Sequence, residues 1–254
     1  IQLRFSANRD GITGSLKTLV RHKEKAFDLL RLSLSEPRFD AAAVERVRAQ
    51  IIGGIKRGAN DPGRQSSKAW NARAFRDHPY ATPGEGLEPE VGAISAGDLR
   101  AAHEKLIARS NLKVAIVGAI GAEEVSRMLD TVFGALPASA ALTTVPLAQP
   151  AGLGELQVID LDIPQSTIRF GLPGLLRKDD DFVAATVMNH ILGGGSFTSR
   201  IWQEVREKRG LAYSVSTGLQ PLRRAGILMG GTATKNERAR EALDVIRAEF
   251  ARMA

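Results

Sequence analysis

The chain has 254 residues, with 43% apolar and 25% charged side chains and no cysteine, enough for one large domain or two ordinary ones around a substantial apolar core. The missing cysteine excludes disulfide scaffolds, thiol nucleophiles and Cys-ligated zinc or iron–sulfur sites, which leaves hydrolytic, binding or scaffolding chemistry. Of the 35 basic residues 25 are Arg, and the net charge of +7 is spread along the chain as an ordinary surface, so no nucleic-acid partner is expected.

Ile1 to Phe5 alternates apolar and polar, Asn8-Arg9-Asp10-Gly11 supplies turn chemistry, and a second short strand around Ile12 to Leu19 completes a β-hairpin. The spacing then becomes helical, with Ala26, Phe27, Leu29, Leu30 and Leu34 along one face up to Glu36-Pro37. Asp40 can cap a second helix whose apolar positions include Val44, Val47, Ile51, Ile52 and Ile55. Gly53-Gly54, late in that helix, costs about 1 kcal/mol per glycine and calls for a reason, either close packing or a lost side-chain role. Asn60 to Gly63 is a turn before a helix containing Trp70 and Phe75, and His78 to Gly86 is loop-rich. Ser95 and Asp98 form a capping box for a helix through about Leu106. Leu112 to Gly118 reads as a strand, followed by a helix from about Ala122 to Phe133.

From Leu136 to Gly154 the composition turns to Ala, Thr, Pro and Gly, and Pro137, Pro146 and Pro150 prevent a long regular element. The expectation is a first unit over 1–136, a linker over 137–154 and a second unit over 155–254. In the second, Leu156 to Ile163 and Thr167 to Phe170 are strand-like, Phe182 to Ile191 and Ile201 to Arg209 helical, Ala212 to Gly218 and Gly226 to Thr234 strands, and Glu237 opens a final helix. Antiparallel hairpins with packed helices in both halves indicate an α+β fold. The shared order of strands, turn and long helix predicts two related units.

Gly193-Gly194-Gly195-Ser196 lacks the lysine and the spacing of a phosphate-binding loop, and Ser196 lacks a nucleophile-elbow context. His22, His78, His103 and His190 are scattered, without a compact metal-binding spacing. The sharpest feature is Glu204-Val205-Arg206-Glu207-Lys208-Arg209-Gly210-Leu211-Ala212-Tyr213. If Gly210 ends a helix and Ala212 starts a strand, Arg206 and Tyr213 converge across the corner and present a guanidinium fork and a phenol to one ligand, a peptide carbonyl or a carboxylate.

With Leu192 to Arg200 and Ser214-Val215, this segment resembles the second homologous domain of the M16 peptidases, the pitrilysin and mitochondrial-processing-peptidase-like family. Phe5-Ser6-Ala7 through Leu16, Glu36 to Asp40, His78-Pro79-Tyr80 and Asn111 to Gly118 extend the resemblance over nearly the whole chain. It implies two M16-type units, each an antiparallel-rich sheet packed on helices, the first lacking its N-terminal part and the second its C-terminal part. Arg206 and Tyr213 then match the family's Arg/Tyr pair, which helps hold the substrate backbone near a zinc site supplied by another domain or subunit, and Gly193, Gly194 and Gly195 would line the approach.

The family's HxxEH zinc motif is absent. Counting from Phe39-Asp40 places the third zinc ligand, a Glu in active members, at Gly54, and Val47 stands where Glu is also common. The resemblance therefore implies a non-catalytic subunit with no metal of its own, whose partners are an HxxEH-bearing subunit that carries Zn2+ and a peptide or unfolded polypeptide substrate; in isolation a homodimer could replace the heteromer. The alternatives are a structural or assembly protein with an M16 fold, and a fragment of an active zinc metalloendopeptidase. No apolar run reaches the roughly 18 residues of a membrane span, so a soluble chain is expected, with bacterial periplasm and cytoplasm both open.

Overall fold

A computed structural model describes residues 1–254. The fold is α+β, and the chain divides into two compact units, each assembled from two stretches: 1–53 with 88–144, and 54–87 with 145–254.

In the first unit, β1 (Gln2–Ala7) and β2 (Ile12–Lys17) form an antiparallel hairpin in which Phe5 pairs with Gly14. The Asn8 side chain closes the turn by accepting the N–H groups of Asp10 and Gly11 at 2.8 and 2.9 Å, as an Asx turn does. The core joins α1 (Lys23–Ser35) to α6 (Ala122–Phe133). Leu34, Met128, Val132, Phe133 and Leu136 are buried there, with Phe27 and Leu30 packed against them, so α1 uses most of the expected helical face, while Leu29 at its edge is exposed. Between these helices lie the first part of α2 (Ala41–Gly58), α4 (Glu88–Ala93) and α5 (Ala96–Leu106). The capping box of α5 forms as expected: Ser95 Oγ accepts from Asp98 N, and Ser95 N donates back to the Asp98 carboxylate at 2.8 Å. The bond donated by Ser95 N, and a second from Ser95 Oγ to the same carboxylate at 2.7 Å, hold the Asp98 carboxyl below its ordinary pKa.

The second unit is built on a three-stranded antiparallel sheet in the order β3-β5-β4, formed by β3 (Gln165–Pro173), β4 (Ala212–Pro221) and β5 (Gly226–Lys235). Side chains alternate between its faces. On one face Leu228, Val215 and Phe170 meet Leu192, Ile201, Val205, Ala242 and Ile246, which come from α7 (Phe182–Asn189), α8 (Arg200–Trp202), the turns that continue them, and α9 (Ala239–Ala251). Buried Glu249 ties α9 to α8 by accepting from Arg200 Nε at 2.9 Å. On the other face Ile227 and Met229 meet Phe75 and Tyr80, and Trp70 of α3 (Pro62–Phe75) lies over Gly171, where any side chain would collide with the indole.

Three expectations change. The segment 54–87, assigned from sequence to the first unit, packs with the second half, because Phe75 and Tyr80 are buried, and Trp70 partly buried, against β3 and β5, and the Tyr80 hydroxyl accepts from Arg224 N at 3.1 Å. The chain passes between the units three times, at 53/54, 87/88 and 144/145, and only the last of these lies inside the stretch read as a linker. The strands expected at Leu112 to Gly118 and Leu156 to Ile163 do not form. Both segments have the alternation, but no neighbouring strand takes up their backbone donors and acceptors; Val117 and Val158 are 100% and 79% exposed. The short helix α4 has no counterpart in the sequence reading.

Candidate functional site

The corner expected at Arg206 and Tyr213 exists, and local backbone rules explain its shape. α8 runs directly into a wider turn at Gln203–Glu207, in which Lys208 N reaches back five residues to the Gln203 carbonyl at 3.0 Å. Gly210 ends the run in the left-handed region at φ 57°, which glycine enters without the steric cost of a Cβ. Its N–H donates to the Arg206 carbonyl at 2.9 Å, and Leu211 N donates to the Val205 carbonyl at 2.8 Å.

The strand that follows is not regular. Ala212 pairs with Thr234 and Val215 with Thr232, so β4 carries one residue more than β5 between these rungs. Tyr213 and Ser214 occupy this β-bulge, which re-aims side chains, and Tyr213 stands 82% exposed. Two buried threonines of β5 accommodate the irregularity: Thr234 Oγ1 donates to the Leu211 carbonyl at 2.5 Å and Thr232 Oγ1 to the Ser214 carbonyl at 2.7 Å.

The structure brings Arg206 and Tyr213 together and adds two residues that the sequence reading missed. The Arg206 guanidinium carbon lies 4.7 Å from the Tyr213 ring centroid and 4.7 Å from that of Trp202, so the cation contacts both rings, at cation–π range. Trp202 donates its indole N–H to Glu207 Oε1 at 3.2 Å, and the exposed Phe197 meets its ring edge-on at 4.8 Å. Trp202 precedes Arg206 by four residues, the spacing of neighbours on one helical face, and that spacing was the available signal. Phe197 had none, because its place depends on the loop.

Glu204 secures the base of the corner. Its carboxylate pairs with Lys208 at 2.5 Å and with Arg209 at 2.5 Å, while Arg209 also donates to the Glu204 carbonyl at 2.9 Å. Hydrogen bonds from Lys208 and then Arg209 hold the Glu204 carboxyl at a pKa of about 2. The only carboxylate paired with Arg206 itself is Glu207, at 3.7 Å. The guanidinium thus keeps hydrogen-bonding capacity for a carbonyl or carboxylate.

The glycines at 193–195 lie in and just after the turn His190–Gly194. Gly193 is buried, and a Cβ there would stand 2.5 Å from Thr217 Oγ1. It lets the turn pack closely on β4. Gly194 would meet Asn189 and Gly195 the His190 carbonyl and ring. Ser196 takes φ 49° and starts the short turn that carries Phe197.

The residues of this chain do not fit a zinc site. No group of three or more His, Cys, Asp or Glu side chains is placed to hold a metal ion. Gly54 has no donor, and a Cβ built on it meets nothing within 4 Å, so close packing is not what requires glycine there. Val47 is exposed on the same helix. His78 is structural: Nδ1 accepts from Tyr80 N and Nε2 faces the Pro146 carbonyl, both at 3.2 Å.

The family described as the peptidase M16 inactive domain matches residues 93–254. The chain is similar to the crystal structure of a peptidase M16 inactive domain from Pseudomonas fluorescens, with a TM-score of 0.91 and 30% identity over 99% of this chain and 61% of that one. It is 35% identical over 181 residues to an uncharacterized zinc protease of Streptomyces coelicolor, covering 68% of this chain and 39% of the relative. It is also 24% identical over 216 residues to the non-peptidase homolog YmxG of Helicobacter pylori, covering 85% of this chain and 50% of the relative. The chain therefore spans half or less of the length of these two curated relatives.

Proposed function

The chain belongs to the M16 peptidase family, and from that premise we propose that it is a non-catalytic partner subunit whose Arg206 and Tyr213 hold a peptide for a zinc site carried by another subunit. The observation that carries this reading is the corner itself: a guanidinium in contact with two rings, with one exposed phenol beside it on a bulge. Such a group is preorganised to receive a peptide carbonyl, because its orientation is fixed before the ligand arrives. Gly54, open space at the position where the family resemblance puts a ligand, supports placing the metal elsewhere. The two units are taken as related M16-type architectures, and the exposed end of the Gly193–Gly195 turn as the approach to the corner.

Reconstitution with a zinc-bearing M16 subunit tests the proposal. Arg206→Ala is expected to lower kcat/KM for peptide cleavage roughly 10–100-fold, the loss of one charge-assisted hydrogen bond, and Tyr213→Phe to lower it less. Unchanged proteolysis in both variants would remove the role. A second reading, part of an active zinc metalloendopeptidase, is favoured by the description of the Streptomyces relative as a zinc protease. Stoichiometric zinc in the purified full-length protein alone would establish it over the first.

A further inference from the structure

Arg169 stands in the middle of β3, an edge strand, and is opposite Gly231 of β5, which is opposite Ser216 of β4. Its neighbours show which face it occupies. Phe170 packs edge-on to Phe250 of α9 at 5.9 Å, whereas Gly171 lies under Trp70 of α3. By the two-residue alternation of a strand, Arg169 shares the Gly171 face, the one that α9 does not cover. The groups beside it there are small: Gly231 has no side chain, and Ser216 and Ala233 are exposed.

On this face the Arg169 side chain is only part-buried, yet its Nε is shut off from solvent without a hydrogen-bond partner. No ion pair of this unit includes it. A partly desolvated guanidinium with no carboxylate is an unfavourable arrangement that an arriving anion relieves. Structural arginines in the same unit show the contrast, since Arg200 and Arg252 both reach Glu249.

We propose that Arg169 is a specificity residue that receives an acidic side chain of the peptide held at Arg206 and Tyr213; this rests on the function proposed above. Strand spacing sets the scale. Two inter-strand steps separate β3 from β4, about 10 Å, and Tyr213 lies about 10 Å further along β4 from the Arg169 row, so the two points are about 14 Å apart, four residues of extended chain. The acidic group read by Arg169 thus stands about four residues from the backbone held at the corner.

The test uses the full-length protein and labelled Ala/Ser-rich decapeptides in which one Glu occupies each position in turn, with matched Gln peptides, measured by fluorescence anisotropy. Wild type is expected to prefer Glu over Gln roughly tenfold at one position, as one charge-assisted contact gives. Arg169→Gln should remove that preference while the Gln peptides bind as before, Arg169→Lys should keep part of it, and Arg206→Ala should weaken both series alike. A Glu preference that survives Arg169→Gln, or an equal loss for both series in that variant, overturns the inference while leaving the parent reading standing. Failure of every peptide to bind wild type overturns both.

Discussion

At the scale of single residues, the exposed Tyr213 and part-buried Arg206 make chemical sense only with Trp202. An arginine side chain loses up to about 2 kcal/mol of rotamer freedom when it is fixed, and two ring contacts worth about 0.5–1 kcal/mol each at partly exposed positions offset much of that cost. Trp202→Leu is accordingly expected to weaken peptide binding a few-fold through Arg206 mobility, with Trp202→Phe recovering part of it; titration calorimetry with one peptide across the three proteins checks the order. Glu204 acts at the base of the same corner. Its folded pKa lies near 2, below the ordinary carboxylate value of 4.5, so its contribution to stability is fully present above about pH 4.5 and is lost as pH falls toward 2. Urea denaturation at several pH values should show that acid-side loss in wild type and a smaller one in Glu204→Gln.

At the scale of elements, the bulge in β4 is the device that turns a buried strand end into an exposed phenol. Tyr213 and the two strands Ala212 to Gly218 and Gly226 to Thr234 were in the sequence reading, but the extra residue was not, since a bulge is a mismatch between two strands and neither strand encodes it alone. Thr234 shows how the sheet accommodates it. Thr234→Val removes the hydroxyl that satisfies the Leu211 carbonyl and leaves a buried acceptor unpaired, at a cost of about 1–3 kcal/mol. The expected outcome is a lower denaturation midpoint together with altered Tyr213 fluorescence. Helices were the more legible elements, because capping chemistry and one-sided periodicity are local: the α5 capping box closes, and α6 spans the predicted residues.

At the scale of the whole molecule, the chain supplies an organised corner and no zinc-ligand cluster, and Gly54 separates these properties experimentally. Glycine within a helix is less favourable than other residues by about 0.5–1 kcal/mol, and the position has open space. Gly54→Glu is therefore expected to raise thermal stability slightly while adding no zinc on metal analysis, because no set of further ligands stands ready. No helix is long and apolar enough to cross a membrane. By itself the sequence determined the α+β class, most of the helices and the capping box of α5, the family resemblance, the seven-residue spacing of Arg206 and Tyr213, and a glycine at position 54, all features that lie within short stretches of chain. Only the tertiary structure decided that 54–87 packs with the second half, that two alternating segments stay unpaired, that Trp202 and Phe197 join the corner, and that Arg169 has no carboxylate beside it. Each of those depends on what a distant stretch places alongside, and alternation or charge in one segment carries no record of its neighbours.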